Sequence, residues 1–96
     1  MTDSPVTNSP ATENAICITL KLIAIYQETL GVPEKTLTLP AGTTVEEVLN
    51  QIIQENPTLT KWRELTRFGL NLQFVVADTT LSDGDELVLI PPVSGG

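Results

Sequence analysis

The chain has 96 residues, with one cysteine, no histidine and twelve acidic residues against five basic ones, for a formal charge of −7. This length predicts one small domain. A lone cysteine excludes an internal disulfide, and the absence of histidine removes most nucleophile–base pairs and zinc sites, so an enzyme that acts alone is disfavoured. Nucleic acid is disfavoured as a partner because it carries the same sign of charge.

Residues 1–15 are predicted to form a disordered tail, because serine, threonine, proline and asparagine dominate their composition. They lack the basic segment followed by an apolar run that marks a signal peptide. No stretch of the chain approaches the roughly 20 apolar residues of a membrane span. We therefore expect a cytoplasmic protein that makes no membrane contact.

The domain is expected to span residues 16–90 and to begin with a strand. Apolar and mixed side chains alternate with period two from Ile16 to Ala24, which is typical of a strand. A short helical turn is predicted for Ile25–Leu30, ending at Gly31 in a left-handed conformation. Lys35–Leu39 forms the second, shorter strand of this prediction.

The clearest local signal in the sequence predicts the main helix. Thr44 stands three residues before Glu47, the spacing of a capping box, in which each side chain accepts a hydrogen bond from a backbone N–H of the other residue. Apolar residues then recur at the spacing of one helix face, and Pro57 ends the helix. The residues of this face are Val45, Val48, Leu49, Ile52 and Ile53.

Thr58–Arg67 is polar, and the spacing of its few apolar residues predicts a second helical turn with Trp62 at the rim of the core. Two interpretations of its basic residues Lys61, Arg63 and Arg67 remain open: a recognition patch or a solvated connector. Phe68–Val76 alternates again and is predicted to be one continuous strand.

Asn71 falls within that strand, and we expect it to make a turn or bulge hydrogen bond rather than to act in catalysis. Asp83-Gly84-Asp85 predicts a tight turn, too short for the ligand loop of a calcium site, so no metal is expected. Glu86–Ile90 follows as an apolar strand. Since both of its faces are apolar, it is predicted to lie in the centre of the sheet.

The last strand also predicts an exposed apolar patch. Either Val88 and Ile90, or Leu87 and Leu89, must lie on the sheet face away from the helix, where Phe74 or Val75 would join them. Such a patch would dock a partner. The acidic residues before the last strand are interpreted in two ways, as a solubility device or as charges that steer the tail toward a basic partner. They are Asp78, Asp83, Asp85 and Glu86.

The order of strands and helices is that of an α+β fold in which one main helix covers one face of a sheet. The two prolines that follow the last strand end the sheet, and two glycines at the end of the sequence leave the backbone without side chains. Backbone of this kind passes through a channel that would exclude any side chain. The segment reads Pro91, Pro92, Val93, Ser94, Gly95, Gly96.

The turn, the apolar strand and the Pro-Pro-Val-Ser-Gly-Gly tail together resemble the ubiquitin-like sulfur carriers, and among them the small subunits of molybdopterin synthases. The resemblance covers residues 16–96 and implies a β-grasp fold. It implies that Gly96 is the reacting residue, adenylated and then thiocarboxylated to supply sulfur for the molybdopterin dithiolene. Pro91, Pro92, Val93, Ser94 and Gly95 would lie in a channel of the partner.

The resemblance also implies three partners: the large subunit of molybdopterin synthase, a ubiquitin-activating-like adenylyltransferase and a sulfur donor enzyme. ATP and magnesium would belong to the adenylyltransferase, and the chain itself would bind no cofactor. Three alternatives remain open. The first is a sulfur carrier for thiamine or cysteine synthesis, and the second is a ubiquitin-like protein modifier joined to lysines through Gly96. The third is an interaction module whose tail does not react.

Overall fold

The computed structural model describes residues 15–92, which form five strands, two α-helices and one 3₁₀ helix. In chain order these elements are β1 (Ala15–Leu22), α1 (Ile25–Leu30), β2 (Glu34–Pro40), α2 (Val45–Glu55), the 3₁₀ helix (Pro57–Leu65), β3 (Arg67–Leu70), β4 (Gln73–Val75) and β5 (Glu86–Ile90). The predicted disordered tail, residues 1–15, is one residue too long, because Ala15 already belongs to β1. Residues 1–14 and the tail residues 93–96 lie outside the described part of the chain.

The strands form one mixed sheet in the order β2-β1-β5-β3-β4. The first and last strands, β1 and β5, run parallel in its centre, with Leu20 beside Leu87, and the other three neighbouring pairs are antiparallel. This is the β-grasp arrangement, so the predicted fold class and the central position of the last strand are both confirmed.

The core lies between one sheet face and α2, as the alternating sequence predicts. Ile18, Leu20, Leu87 and Leu89 point from the two central strands into it and are fully or almost fully buried. Successive residues of a strand point to opposite faces, so the residues between them, including Val88, lie on the outer face of the sheet. Burial of the inward side chains is the main favourable term in folding this small domain.

Helix α2 begins at the predicted capping box. Thr44 Oγ1 accepts a hydrogen bond from the Glu47 N–H at 3.3 Å, and Glu47 Oε1 accepts one from the Thr44 N–H at 2.9 Å. All five predicted apolar residues of this helix are buried. The helix start is also tied to the loop after β4, because the Val45 N–H donates to the Thr79 carbonyl. Helix α1 ends at Gly31 with φ +81°, as predicted.

The predicted strand Phe68–Val76 is wrong in its continuity, because the chain forms a hairpin there. β3 ends at Leu70, and Asn71 and Leu72 turn the chain with φ of +51° and +72°. The turn reverses the chain within two residues, so Phe68 and Leu70 are buried whereas Leu72 and Phe74 are exposed. Unbroken alternation in the sequence conceals this turn, since apolar residues continue at every second position on both sides of it.

The segment between α2 and β3 is a 3₁₀ helix rather than an α-helical turn. Leu59 is buried and Trp62 packs against the core, as expected, while Leu65 is exposed. The buried hydroxyl of Tyr26 in α1 hydrogen-bonds to Thr66, whose hydroxyl lies 2.8 Å from the Trp62 carbonyl and donates to it. Burial raises the pKa of Tyr26, which keeps the phenol neutral in this setting. Among residues 15–92 no helix is both long and apolar enough to cross a membrane.

The capping box generates a stability prediction. Thr44→Ala removes one hydrogen bond and leaves a backbone donor without its side-chain acceptor, so the free energy of unfolding should fall by about 1 kcal/mol. Urea denaturation of wild type and variant measures the difference. Thr58→Ala, at an exposed threonine outside the cap, is the control and should change little. Equal stability of the Thr44 variant and wild type would show that the box does not stabilise this helix.

Candidate functional site

Five apolar side chains meet on the outer side of the sheet, away from α2. Their exposure is large for aliphatic and aromatic residues: Leu72 is 94% exposed, Phe74 75% and Ile23 40%. With the half-buried Val88 and Ile90 they surround Gly69, and together they line a depression of about 290 Å³. We call these five residues the apolar face. An exposed patch of this kind marks an interaction surface on a small domain.

The strand register explains why these residues meet. Gly69 in β3 lies opposite Val88 in β5 on one side and opposite Phe74 in β4 on the other. Ile23 follows Leu22, which pairs with Leu89, so it reaches the end of β5.

The predicted patch is therefore confirmed in its Val88 and Ile90 form, because Leu87 and Leu89 are fully buried in the core. Phe74 joins the patch as predicted, whereas Val75 packs against the core. Sequence reasoning missed Ile23 and Leu72. Ile23 could have been found from the sequence, because it is an apolar residue next to the end of a predicted central strand.

The remaining part of the outer face is polar and meets the apolar face at an ion-pair cluster. Lys21 Nζ lies 2.8 Å from a carboxylate oxygen of Glu34 and 3.6 Å from one of Glu86. The hydrogen bond and charge of Glu34, followed by the charge of Glu86, raise the pKa of Lys21. Exposed Cys17 lies in this polar part, with its Sγ 3.7 Å from the Thr38 hydroxyl. The ion pairs of Lys21 lie where the charged part of the outer face meets the apolar face.

The tail leaves the domain beside the apolar face. Ile90 is both the last residue of β5 and a member of that face. Pro91 is still buried and Pro92 is exposed, so the folded domain extends at least to Pro91, one residue beyond the predicted bound at Ile90. The predicted channel residues Val93, Ser94 and Gly95 and the predicted reacting residue Gly96 lie outside the described residues.

The acidic turn before β5 has a structural role. The Cys17 N–H donates to Asp83 Oδ1 at 2.8 Å, and the Ser82 N–H donates to Asp85 Oδ2 at 2.7 Å. Glu86 pairs with Lys21. The turn lies at the start of β5, four residues or about 13 Å from the strand end where the tail leaves. Asp83, Asp85 and Glu86 therefore lie at the other end of β5 from the start of the tail, and steering of a partner by the acidic residues stays a prediction.

The three basic residues proposed as a recognition patch are not brought together. Arg63 Nε donates to Asn50 Oδ1 on α2 at 2.6 Å, and Lys61 Nζ lies 5.5 Å from the centre of the Trp62 ring. Arg67 is opposite Ile90 in the sheet and so lies on the outer face instead. The solvated-connector interpretation is the one that fits Lys61 and Arg63.

A profile of the ThiS family matches residues 20–96, which include every residue of the apolar face and the whole tail. The chain belongs to the ThiS family. The resemblance inferred from the turn and tail is thereby confirmed, and the β-grasp topology described above agrees with it.

Two relatives of this chain share one description, molybdopterin synthase sulfur carrier subunit. The molybdopterin synthase sulfur carrier subunit of Arabidopsis thaliana is 32% identical over 83 residues, which cover 86% of this chain and 86% of the relative. The subunit of the same description from Chlamydomonas reinhardtii is 40% identical over 72 residues, covering 73% of this chain and 87% of the relative.

A solved complex supplies the third comparison. It contains subunits 1 and 2 of molybdopterin-converting factor from Helicobacter pylori 26695. One of its chains is 27% identical to this chain, with a TM-score of 0.53 over 84% of this chain and 100% of that one.

Proposed function

We propose that this chain is the sulfur carrier subunit of a molybdopterin synthase, which delivers sulfur as a thiocarboxylate on Gly96. One observation carries the proposal. In this ThiS-family chain the last strand ends at Ile90, which belongs to the apolar face, and the Pro-Pro-Val-Ser-Gly-Gly tail follows immediately. The tail thus begins beside a surface suited to a partner, and its last two residues carry no side chain that would hinder insertion into that partner.

The chemistry requires activation because a carboxylate repels nucleophiles through its own negative charge. Transfer of AMP from ATP to the carboxylate of Gly96 releases pyrophosphate and gives an acyl adenylate with a good leaving group. A sulfur donor enzyme then supplies sulfur at the oxidation level of sulfide to the carbonyl carbon, AMP leaves, and a thiocarboxylate results. ATP and magnesium are bound by the adenylyltransferase, so the chain contributes the acceptor carboxylate and no catalytic side chain.

The tail is built to reach an active site on another protein. The five residues from Pro92 to Gly96 span roughly 17 Å when extended. Gly95 and Gly96 carry no Cβ, so a partner can close around their backbone and bring its own groups against the reacting carbon. Catalysis that depends on held geometry in this way is sensitive to displacements of about 1 Å.

The apolar face is the proposed docking surface for the large subunit. Phe74 and Leu72 expose apolar surface whose burial in a complex is favourable, since water is released from both partners. The same face borders the exit of the tail, so a partner that holds the tail also covers the face. The Helicobacter pylori comparison supports this choice of partner, because it is a complex of the two subunits.

The first prediction of this proposal concerns the tail. Incubation with the adenylyltransferase, ATP, magnesium and a sulfur donor should replace one oxygen of Gly96 with sulfur, measured by mass spectrometry of the last peptide. Gly95→Val should block the reaction because a branched side chain cannot pass the channel. One alanine added after Gly96 should block it as well, because the carboxylate moves roughly 3.5 Å from its position.

Samples without ATP are the control for this experiment, and both variants should melt like wild type because neither change touches the folded domain. An extended variant that acquires sulfur on its added residue, or that supports cofactor synthesis without being trimmed, would falsify the carrier proposal. Joining of Gly96 to lysines of other proteins, with no thiocarboxylate formed, would favour the protein-modifier alternative.

A second prediction concerns the docking surface. Phe74→Asp places a charge in the apolar face and should weaken binding of the large subunit at least tenfold, because the carboxylate must be desolvated in the complex. The free energy of unfolding should stay within roughly 0.5 kcal/mol of wild type, since this side chain is largely solvent-exposed. Leu65→Asp, at an exposed leucine on the 3₁₀ helix, is the control. Equal weakening by the two variants would place the docking surface elsewhere.

A further inference from the structure

Two residues on the outer side of the sheet are residue types that destabilise the backbone conformation at their positions. The first is Leu72. Its φ of +72° lies in the left-handed region, which costs free energy for a residue with a Cβ and favours glycine or asparagine. Its side chain is 94% exposed, so burial within the domain does not offset that cost. Two-residue hairpin turns of this kind usually place glycine at this second position.

The hairpin tip nevertheless holds Leu72 firmly. The neighbouring Asn71 donates through Nδ2 to Asp85 Oδ1 at 2.9 Å and accepts a hydrogen bond from the Glu86 N–H at 3.0 Å. Its own backbone N–H donates to the Glu86 carbonyl at 2.9 Å. Three hydrogen bonds thus attach the turn to the start of β5, so the exposure of Leu72 is a fixed feature of the surface.

Gly69 is the second of these residues. It lies inside β3, where glycine weakens a strand, and it is not among the glycines with positive φ. A Cβ built on it would lie 3.4 Å from Ile90 Cδ1 and 3.7 Å from Val88 Cβ, which is ordinary packing distance. The fold therefore has room for alanine, and neither the backbone conformation nor a close contact inside the domain requires glycine here.

Local strain and poor packing of this kind collect at functional sites. Gly69 forms the floor of the depression of about 290 Å³, and Leu72 lines the same depression near the hairpin tip. Gln73 is the one polar side chain among the residues that line it. Gly69 and Leu72 therefore both line the same depression in the apolar face.

We propose that Gly69 and Leu72 form a socket that receives one apolar side chain of the large subunit, and that both residues lower the stability of the free chain to do so. This inference rests on the proposed function, which names the large subunit as partner. The tail supports that occupant, because it leaves from Ile90 on the rim of the same depression and a protein that encloses it also lies over the socket. The lining predicts an aliphatic or aromatic group, since a charged group would lose its hydration there.

Two variants separate binding from stability. Leu72→Asn replaces leucine with a residue that tolerates the left-handed conformation, and Gly69→Ala raises the floor of the socket by one methyl group. Leu72→Asn should raise the melting temperature by roughly 4–8 °C, and Gly69→Ala should leave it unchanged or raise it. Each should increase the dissociation constant for the large subunit tenfold or more, as measured by calorimetry.

Leu65→Asn is the matched control, since it removes an exposed leucine outside the depression and should leave binding unchanged. If wild type binds the large subunit and both socket variants bind as tightly, the socket is refuted while the carrier function stands. If the variants lose binding and stability together, the two residues are structural and the proposal also fails. If wild type does not bind the large subunit at all, the proposed function fails, and the socket with it.

Discussion

The parallel pairing of β1 with β5 determines where the core, the apolar face and the start of the tail lie. It places the last strand in the centre of the sheet, where Leu87 and Leu89 complete the core and Val88 and Ile90 necessarily face outward. The tail then leaves from the middle of the domain rather than from an edge. This position of the tail is the reason that the proposed docking surface is the sheet face beside it.

Features set by neighbouring residues could be predicted from the sequence. The capping box at Thr44, the helix stop at Gly31 and the alternation of β1 each depend on side chains and backbone only a few positions apart. The central position of β5 could also be predicted, because apolar residues on both faces of a strand are expected to be covered by the domain or to contact a partner. These elements were enough to indicate the α+β class, but they left open whether Val88 and Ile90 or Leu87 and Leu89 face away from the helix.

Features set by contacts between distant segments could not be predicted in the same way. The expected turn or bulge hydrogen bond of Asn71 is confirmed, but leucine at position 72 carries no turn signal, so the hairpin itself could not be predicted. The carboxylates of Asp83 and Asp85 are close to the tail in sequence, yet they lie at the opposite end of β5 because the strand separates them from it. Ile23 and Ile90 line the same depression because of the register in which β1 pairs with β5.

The outer face explains how so small a chain can serve a reaction without catalytic side chains. Lys21, held between Glu34 and Glu86, borders an apolar area that contributes little to the stability of the free domain. Under the proposed function, the residues exposed there, with the proposed socket among them, gain their favourable contacts only in a complex. The proposal places the chemistry on Gly96, inside a protein that supplies the reactive groups.

Transfer of labelled sulfur from Gly96 distinguishes a sulfur carrier from the alternatives. The chain would be prepared with a ³⁴S thiocarboxylate on Gly96 and mixed with the large subunit and the sulfur-free pterin precursor. If the chain is the carrier, the label should leave Gly96 and appear in the dithiolene of the product, with two carrier molecules consumed for each product because a dithiolene holds two sulfur atoms. Label that remains on Gly96 when active large subunit and precursor are present, or Gly96 recovered in an amide bond to a protein lysine, would contradict the carrier proposal.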